Sequence, residues 1–152
     1  MTGPPTLAEV VPSLRDVLAD RLDDARVAGG TLDEVRTLVR GQSRRGAPPE
    51  RPAVFLFVEG ASRTAGGTRT AWQVPVWVAA MVTDTDPARG ESTANRLAAT
   101  AAEELVRRGR SPITWVRDLV LDQFDAHDDR FTDGTVFGAA ARLTATVITQ
   151  EA

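Results

Sequence analysis

The sequence lacks several residue types on which common enzyme and metal chemistries depend. Among its 152 residues there is no cysteine, and all 18 basic residues are arginine, so lysine is absent as well. These absences exclude disulfides, thiolate metal sites, cysteine nucleophiles, Schiff-base chemistry and a phosphate-binding loop with its lysine. The sequence has a single histidine, His127, and no nucleophilic serine motif for which it could act as the base. We therefore expect a protein that is not an enzyme, with no catalytic residue, no cofactor and no metal ion.

Charge and hydrophobicity are those of an ordinary globular protein. The net charge is -3 and 42% of the residues are hydrophobic, which predicts one domain over residues 1–152 with a core of its own. A mildly acidic chain is a poor match for a surface built to grip nucleic acid. No apolar run has the roughly 18 residues of a membrane span, so we expect no membrane association.

Apolar residues at helical spacing predict two long helices. The first contains Leu14, Leu18 and Leu22 and ends at Gly29-Gly30. The second runs from about Ser92 to Arg108. Between them, residues 31–34 match a capping box, which predicts a short additional helix or helical turn.

Alternating and β-branched segments predict the strands. They are residues 53–59, 71–83 and 135–150, and residues 113–122, where the pattern fits either a helix or a strand and we favour a strand. Residues 84–90 and 122–134 are predicted to be a turn and an acidic loop. The order predicts an α+β fold, with a mostly antiparallel sheet of about four strands and helices packed on one face.

The strand at 71–83 is apolar on both faces, whereas a strand with one solvated face should alternate. Trp72 and Trp77 are separated by an odd number of residues, so we expect them to point to opposite faces. One face can pack on the helices. The other is covered either by other parts of this chain or by a neighbouring subunit. Trp72, Trp77 and Met81 are therefore candidate interface residues, because tryptophan is enriched in interface hot spots.

Arginines gather in two loops, residues 41–52 and 60–70, which we expect to be contact elements. Arg44 and Arg45 lie in the first loop, and Arg63 and Arg69 in the second. Arginine suits both protein interfaces and phosphate contacts, and a solvated loop is a third possibility. We include all four residues in the candidate interface, because the net charge and the lack of interleaved aromatics disfavour nucleic acid.

An acidic stretch between residues 122 and 133 is the one cluster that resembles a metal site. It includes Asp122, Asp125 and Asp128, with His127 among them. Carboxylates and an imidazole can hold a hard cation or a transition metal. The spacing does not fit a calcium-binding EF-hand loop, and we favour a solvated loop.

The order of elements resembles a known family. It begins with an amphipathic helix and a loop that leads into RPAVFLFVEG, and a long hairpin connects to AWQVPVWVAAMVTD. The Ala-rich helix ANRLAATAAEELVRR, the segment ITWVRDLVLD and the last strand ARLTATVITQ follow. This order is similar to that of the tail terminator (tail completion) proteins of long-tailed phages, especially those of actinobacterial hosts.

The resemblance implies a virion structural protein that is assembled in the host cytoplasm. Such proteins form a homohexameric ring at the head-proximal end of the tail tube. The ring ends polymerisation of the tail tube protein and joins the tail to the head-closure connector. DNA passes through its lumen without specific binding.

Two alternatives remain. Another component of the head–tail connector is one, although the head-closure family tends toward a small barrel with little helix. A small α+β ligand-binding or enzymatic domain is the other. The subunit number distinguishes the latter from a ring protein.

Overall fold

The computed structural model describes residues 3–41, 50–63, 70–107, 113–126 and 134–150. Within these residues the elements are α1 (Val10–Ala25), β1 (Thr37–Arg40), β2 (Ala53–Val58), β3 (Ser62–Arg63), β4 (Ala71–Thr83), α2 (Pro87–Val106), β5 (Val116–Asp125) and β6 (Val136–Ile148). The six strands form one sheet in the order β1-β2-β4-β6-β5, and β3 pairs with β4 beside β2. Only β1 and β2 pair in parallel among the described strands. The predicted α+β class and mostly antiparallel sheet are confirmed, whereas the predicted number of about four strands is too low.

The centre of the sheet is β4, whose bounds agree with the predicted strand. It pairs with β6 from Ala71 opposite Ile148 to Thr83 opposite Val136. On its other side β2 and then β3 pair with successive parts of it. The central strand therefore holds the two halves of the sheet together.

Both helices pack on the same face of the sheet. The buried side of α1 includes Leu14, Leu18 and Leu22, and that of α2 includes Leu97 and Leu105. These residues form one core with the inward face of the strands, namely Val54, Leu56, Val74, Val76, Val78, Ala80, Ala139, Ala141, Leu143, Ala145 and Val147. The predicted placement of the helices on one face is thus confirmed for the described residues.

The helix α2 begins earlier than predicted, because residues 84–90 are not all turn. Asp86 is its N-cap, and the carboxylate of Asp86 accepts a hydrogen bond from the backbone N–H of Ala88 at 3.1 Å. Pro87 occupies the first turn, where a missing N–H costs nothing. Gly90 then lets the helix approach the sheet, since a Cβ at this position would collide with the ring of Phe137.

Of the short helix or helical turn predicted after Gly30, the helix is wrong and turns are present. Residues 31–34 form turns, and residues 37–40 are β1. The capping-box side chains contact α2 instead: the Thr31 hydroxyl donates to Glu104 at 2.8 Å, and Glu34 pairs with Arg96 at 2.6 Å. No helix continues past these turns, because the backbone of residues 37–40 pairs with β2 instead.

The ambiguous segment 113–122 is mainly strand, as favoured, since β5 begins at Val116. The strand continues to Asp125, so the first residues of the predicted acidic loop are strand residues. The reason is pairing with β6, which extends to Asp125 opposite Ala140. The rest of that loop, residues 127–133, lies outside the described residues.

Candidate subunit interface

A second apolar cluster lies on the sheet face that carries neither helix. Its buried members are Ala53, Phe55, Ala79 and Ala140, and half-buried hydrophobic residues surround them. The half-buried members are Val39, Phe57, Trp77 and Met81. All of them belong to β1, β2, β4 or β6, so the described helices contribute nothing to this cluster. We call it the helix-free cluster.

Trp77 lies at a polar border of the helix-free cluster. Its indole Nε1 donates a hydrogen bond to the carboxylate of Glu59 at 2.6 Å. The guanidinium carbon of Arg142 is 6.0 Å from the centre of the indole ring, at the outer limit of a cation–π contact. Met81 is on the same strand and the same face. The indole is therefore oriented by a carboxylate while its ring remains half-buried.

Trp72 contacts the opposite face, as its spacing from Trp77 predicted. It packs against the main core, and its Nε1 donates to the hydroxyl of Thr149 at 3.2 Å. Arg63 of β3 lies over the indole, with the guanidinium carbon 5.0 Å from the ring centre. The sequence-based interface set thus divides into Trp77 and Met81 on the helix-free face and Trp72 with Arg63 at the margin of the main core.

The other predicted interface residues are not described. Arg44, Arg45 and Arg69 lie outside the described residues, as do most of the loops 41–52 and 60–70. Of the seven predicted interface residues, the structure thus places Trp77 and Met81 on the helix-free face. It places Trp72 and Arg63 on the face that carries the helices.

The sequence did not predict the exposed apolar surface on the edge strand β5. Val120, Leu121 and Phe124 are 45%, 43% and 40% exposed, which makes them three of the five exposed large hydrophobic residues in the described chain. Register shifts at Val116/Asp118 and Leu121/Gln123 mark two irregularities along the strand. The pattern of residues 113–122 favoured a strand, but the exposure of its side chains depends on the edge position, which sequence periodicity does not reveal.

Two aspartates of the stretch 122–133 lie in the described part of the chain, and both accept hydrogen bonds from other side chains. Asp122 accepts from the hydroxyl of Thr144, and Asp125 accepts from the amide of Gln123 at 2.9 Å. No group of three potential metal ligands occurs among the described residues. His127, Asp128 and the remaining acidic residues of the stretch lie outside them.

A cleft of about 450 Å³ lies between the N-terminal segment and the end of the chain. Glu9, Asp16 and Val17 of the α1 region line it together with Trp115 and Gln150. The backbone N–H of Gln150 donates to the carbonyl of Pro5 at 3.0 Å, which ties the two segments together. Two acidic groups and one indole line this cleft.

Comparisons with known proteins do not assign the chain to a family. No protein-family model matches the chain, and no curated protein matches it in sequence. No helix in the described part of the chain is long and apolar enough to cross a membrane.

Proposed function

We propose that this chain is a ring-forming structural protein of a phage tail, namely the terminator at the head-proximal end of the tail tube. The ring ends polymerisation of the tube and joins it to the head-closure connector. The observation that carries this proposal is the helix-free cluster, in which Trp77 and Met81 are half-buried on a face without helices. A neighbouring subunit against this face would remove the remaining apolar surface from water.

The border of the cluster has the composition of an interface centre. Tryptophan and arginine dominate binding hot spots, and here Trp77 and Arg142 lie next to each other. The Nε of Arg142 is buried with no hydrogen-bond acceptor among the described residues. An unpaired buried donor costs about 1–3 kcal/mol, and a change of the Arg142 rotamer would be needed to bring this donor to an acceptor on a neighbouring subunit.

Charge supports a structural role around DNA in transit. The chain has a net charge of -3, and a mildly acidic ring would not retain a polyanion that passes through its lumen. This role requires no catalytic residue and no cofactor. Its partners are other copies of the chain, the tail tube protein and the head-closure protein.

A second candidate function is supported by the cleft beside α1. A cavity of about 450 Å³ falls within the range of about 300–1,000 Å³ typical of small-molecule sites. Its Glu9 and Asp16 would favour a cationic ligand, and Trp115 offers an aromatic surface. A monomeric ligand-binding domain is the function that this observation favours.

Size-exclusion chromatography with light scattering, followed by negative-stain electron microscopy, tests the two candidates. We expect a six-subunit ring, either alone or after incubation with polymerising tail tube protein. On tubes, ring density should cap one end and the mean tube length should fall. A chain that stays monomeric and leaves tube length unchanged would contradict the terminator role, and would leave the ligand-binding domain as the better candidate.

A further inference from the structure

The two outermost strands of the sheet are β1 and β5. Each pairs with one strand only in the described chain, β1 with β2 and β5 with β6. An edge strand presents backbone N–H and C=O groups that can pair with another chain. The sheet thus has two lateral edges, and the properties of those edges differ.

The edge at β5 is long, apolar and acidic. It spans ten residues and exposes Val120, Leu121 and Phe124. Its charged residues are Arg117, Asp118, Asp122 and Asp125, which sum to -2 (one positive and three negative charges). Proteins usually protect such edges with lysine, proline or very short strands, and β5 has none of these. Its charged side chains and its two register irregularities are the protective features that the described residues show.

The edge at β1 is short and basic. Thr37, Leu38 and Val39 are half-buried, and the arginines before and at the end of the strand, Arg36 and Arg40, are exposed. Arg40 also contacts the carboxylates of α1, at 3.3 Å from Asp23. Because Arg40 pairs with Asp23 and, at 3.9 Å, with Asp16, its charge is compensated within the subunit. Arg36 therefore supplies most of the positive charge of this edge, which is opposite in sign to that of the β5 edge.

We infer that β5 of one copy pairs with β1 of the next copy, so that the sheets of neighbouring subunits continue into one another. This rests on the proposed ring, and it adds a contact at the lateral edges of the sheet to the contact proposed on the helix-free face. Strand directions allow the pairing. β2 is antiparallel to β4, β4 to β6 and β6 to β5, while β1 is parallel to β2. β1 and β5 therefore run in opposite directions.

A rotation about an axis along the strands leaves those directions unchanged. The β5 strand of one subunit then meets the β1 strand of its neighbour as an antiparallel pair. Such a head-to-tail contact uses two different surfaces and closes into a ring when the rotation closes. The antiparallel pairing that a cyclic ring needs is thus already present in the topology of one subunit.

Charge selects this contact over pairing of two identical edges. Two β5 edges would place Asp118, Asp122 and Asp125 against their own copies, and like charges on facing strands are destabilising. Two β1 edges would bring Arg36 and Arg40 against each other in the same way. Only the mixed pair sets an acidic edge against a basic one, so the occupant of the β5 edge is the β1 edge of a second copy.

Disulfide trapping tests this contact, because the natural chain has no cysteine. Val120 and Val39 both belong to the helix-free face, since Val120 lies opposite Thr144 on β6 and Val39 belongs to the helix-free cluster. Four strand spacings of about 4.8 Å separate the edges within one sheet, so a disulfide between them must join two copies. Thr37→Cys serves as a second partner, because it places the β1 thiol two residues away along the strand and on the same face.

The double variant Val120→Cys with Val39→Cys or Thr37→Cys should give a ladder of disulfide-linked multimers under mild oxidation. Each single variant should remain unlinked. Linked dimers from Val120→Cys alone would overturn the inference in favour of paired β5 edges. Rings that form, alone or on tail tubes, without any linkage in the double variants would overturn it while the terminator role stands. The absence of rings under both conditions would contradict both.

A charge variant gives an independent readout. Val120→Arg should raise the protein concentration required for assembly at least tenfold, because it places a cation against Arg36 and Arg40 of the neighbour. Val27→Arg is the matched control, since Val27 is 61% exposed and belongs to none of the described strands. Circular dichroism should show both variants folded. Equal effects of the two substitutions on assembly would contradict a contact at β5.

Discussion

The two faces of the sheet are made from alternate residues of the same strands, but the described helices cover only one of them. On β4, Val74, Val76 and Val78 are fully buried under the helices, whereas Trp77 and Met81 on the opposite face are half-buried. The helix-covered face is filled mainly with leucine, valine and alanine from both helices and the strands. The helix-free face has a small centre of alanine and phenylalanine with larger side chains around it.

This difference indicates different roles for the two faces. A side chain that is completely surrounded contributes its full transfer and packing energy to folding. A half-buried aromatic side chain contributes only part of it and retains surface for another molecule. Substitutions on the helix-covered face should therefore affect the free energy of unfolding, and those on the helix-free face should affect assembly more.

The largest effect on folding is expected from Leu97→Ala in α2. Leu97 is fully buried in the main core, and truncation of a buried leucine costs about 2–5 kcal/mol because a cavity remains. Urea denaturation of the variant should show this loss in the free energy of unfolding. A loss below about 1 kcal/mol would mean that the helix layer is packed more loosely than its burial indicates.

A smaller effect on folding and a larger one on assembly are expected from Trp77→Ala. About half of the 3–5 kcal/mol typical of a buried aromatic residue, or about 2 kcal/mol, should be lost from the free energy of unfolding. Ring formation should require at least a tenfold higher protein concentration, measured by light scattering. Met81→Ala should weaken assembly in the same direction with a smaller loss of stability.

Gln73→Ala is the matched control for Trp77→Ala. Gln73 is exposed on the same strand and the same face, so its truncation removes no buried apolar surface and should leave assembly unchanged. If Trp77→Ala lowered the free energy of unfolding as much as Leu97→Ala and left the assembly concentration unchanged, the two faces would have the same role.

Sequence patterns predicted the faces well because they depend on local periodicity. The bounds of β4, the alternation of β6 and the opposite orientation of Trp72 and Trp77 all follow from the two-residue period of a strand. The start of α2 was also available locally, since Asp86-Pro87 is a capping residue followed by proline.

Features that depend on strand order were not predictable in this way. Four residues of β1 are a strand because β2 lies beside them, and no periodicity is visible over so short a segment. The exposure of Val120 and Phe124 follows from the position of β5 at the edge. Neither the order of strands nor their edges is encoded in the hydrophobic period, so the most informative surface of the candidate site was missed.

The smallest effect on stability is expected from loss of the ion pair between Arg89 of α2 and Asp84, which follows β4. Arg89 donates hydrogen bonds to both carboxylate oxygens of Asp84, at 2.7 and 2.8 Å. These bonds, with a further one from the backbone N–H of Asp86, lower the pKa of Asp84 from 3.8 to about 2. A carboxyl whose pKa is lower in the folded state stabilises the fold above its unfolded pKa, and this contribution disappears as the pH falls through the folded value.

Asp84→Asn should therefore lower Tm slightly at pH 6, by less than Trp77→Ala does, because the ion pair is at the surface and screened by solvent. The difference in Tm between the variant and the natural chain should shrink as the pH falls from about 4 to about 2, the range between the unfolded and folded pKa of Asp84. Thermal denaturation at several pH values measures it, with Asp33→Asn, an exposed carboxylate in a turn, as control. A difference that does not change with pH would show that the substituted amide destabilises the fold through its shape and not through the lost charge. The attachment of α2 would then rest on packing alone, as on the rest of the helix-covered face.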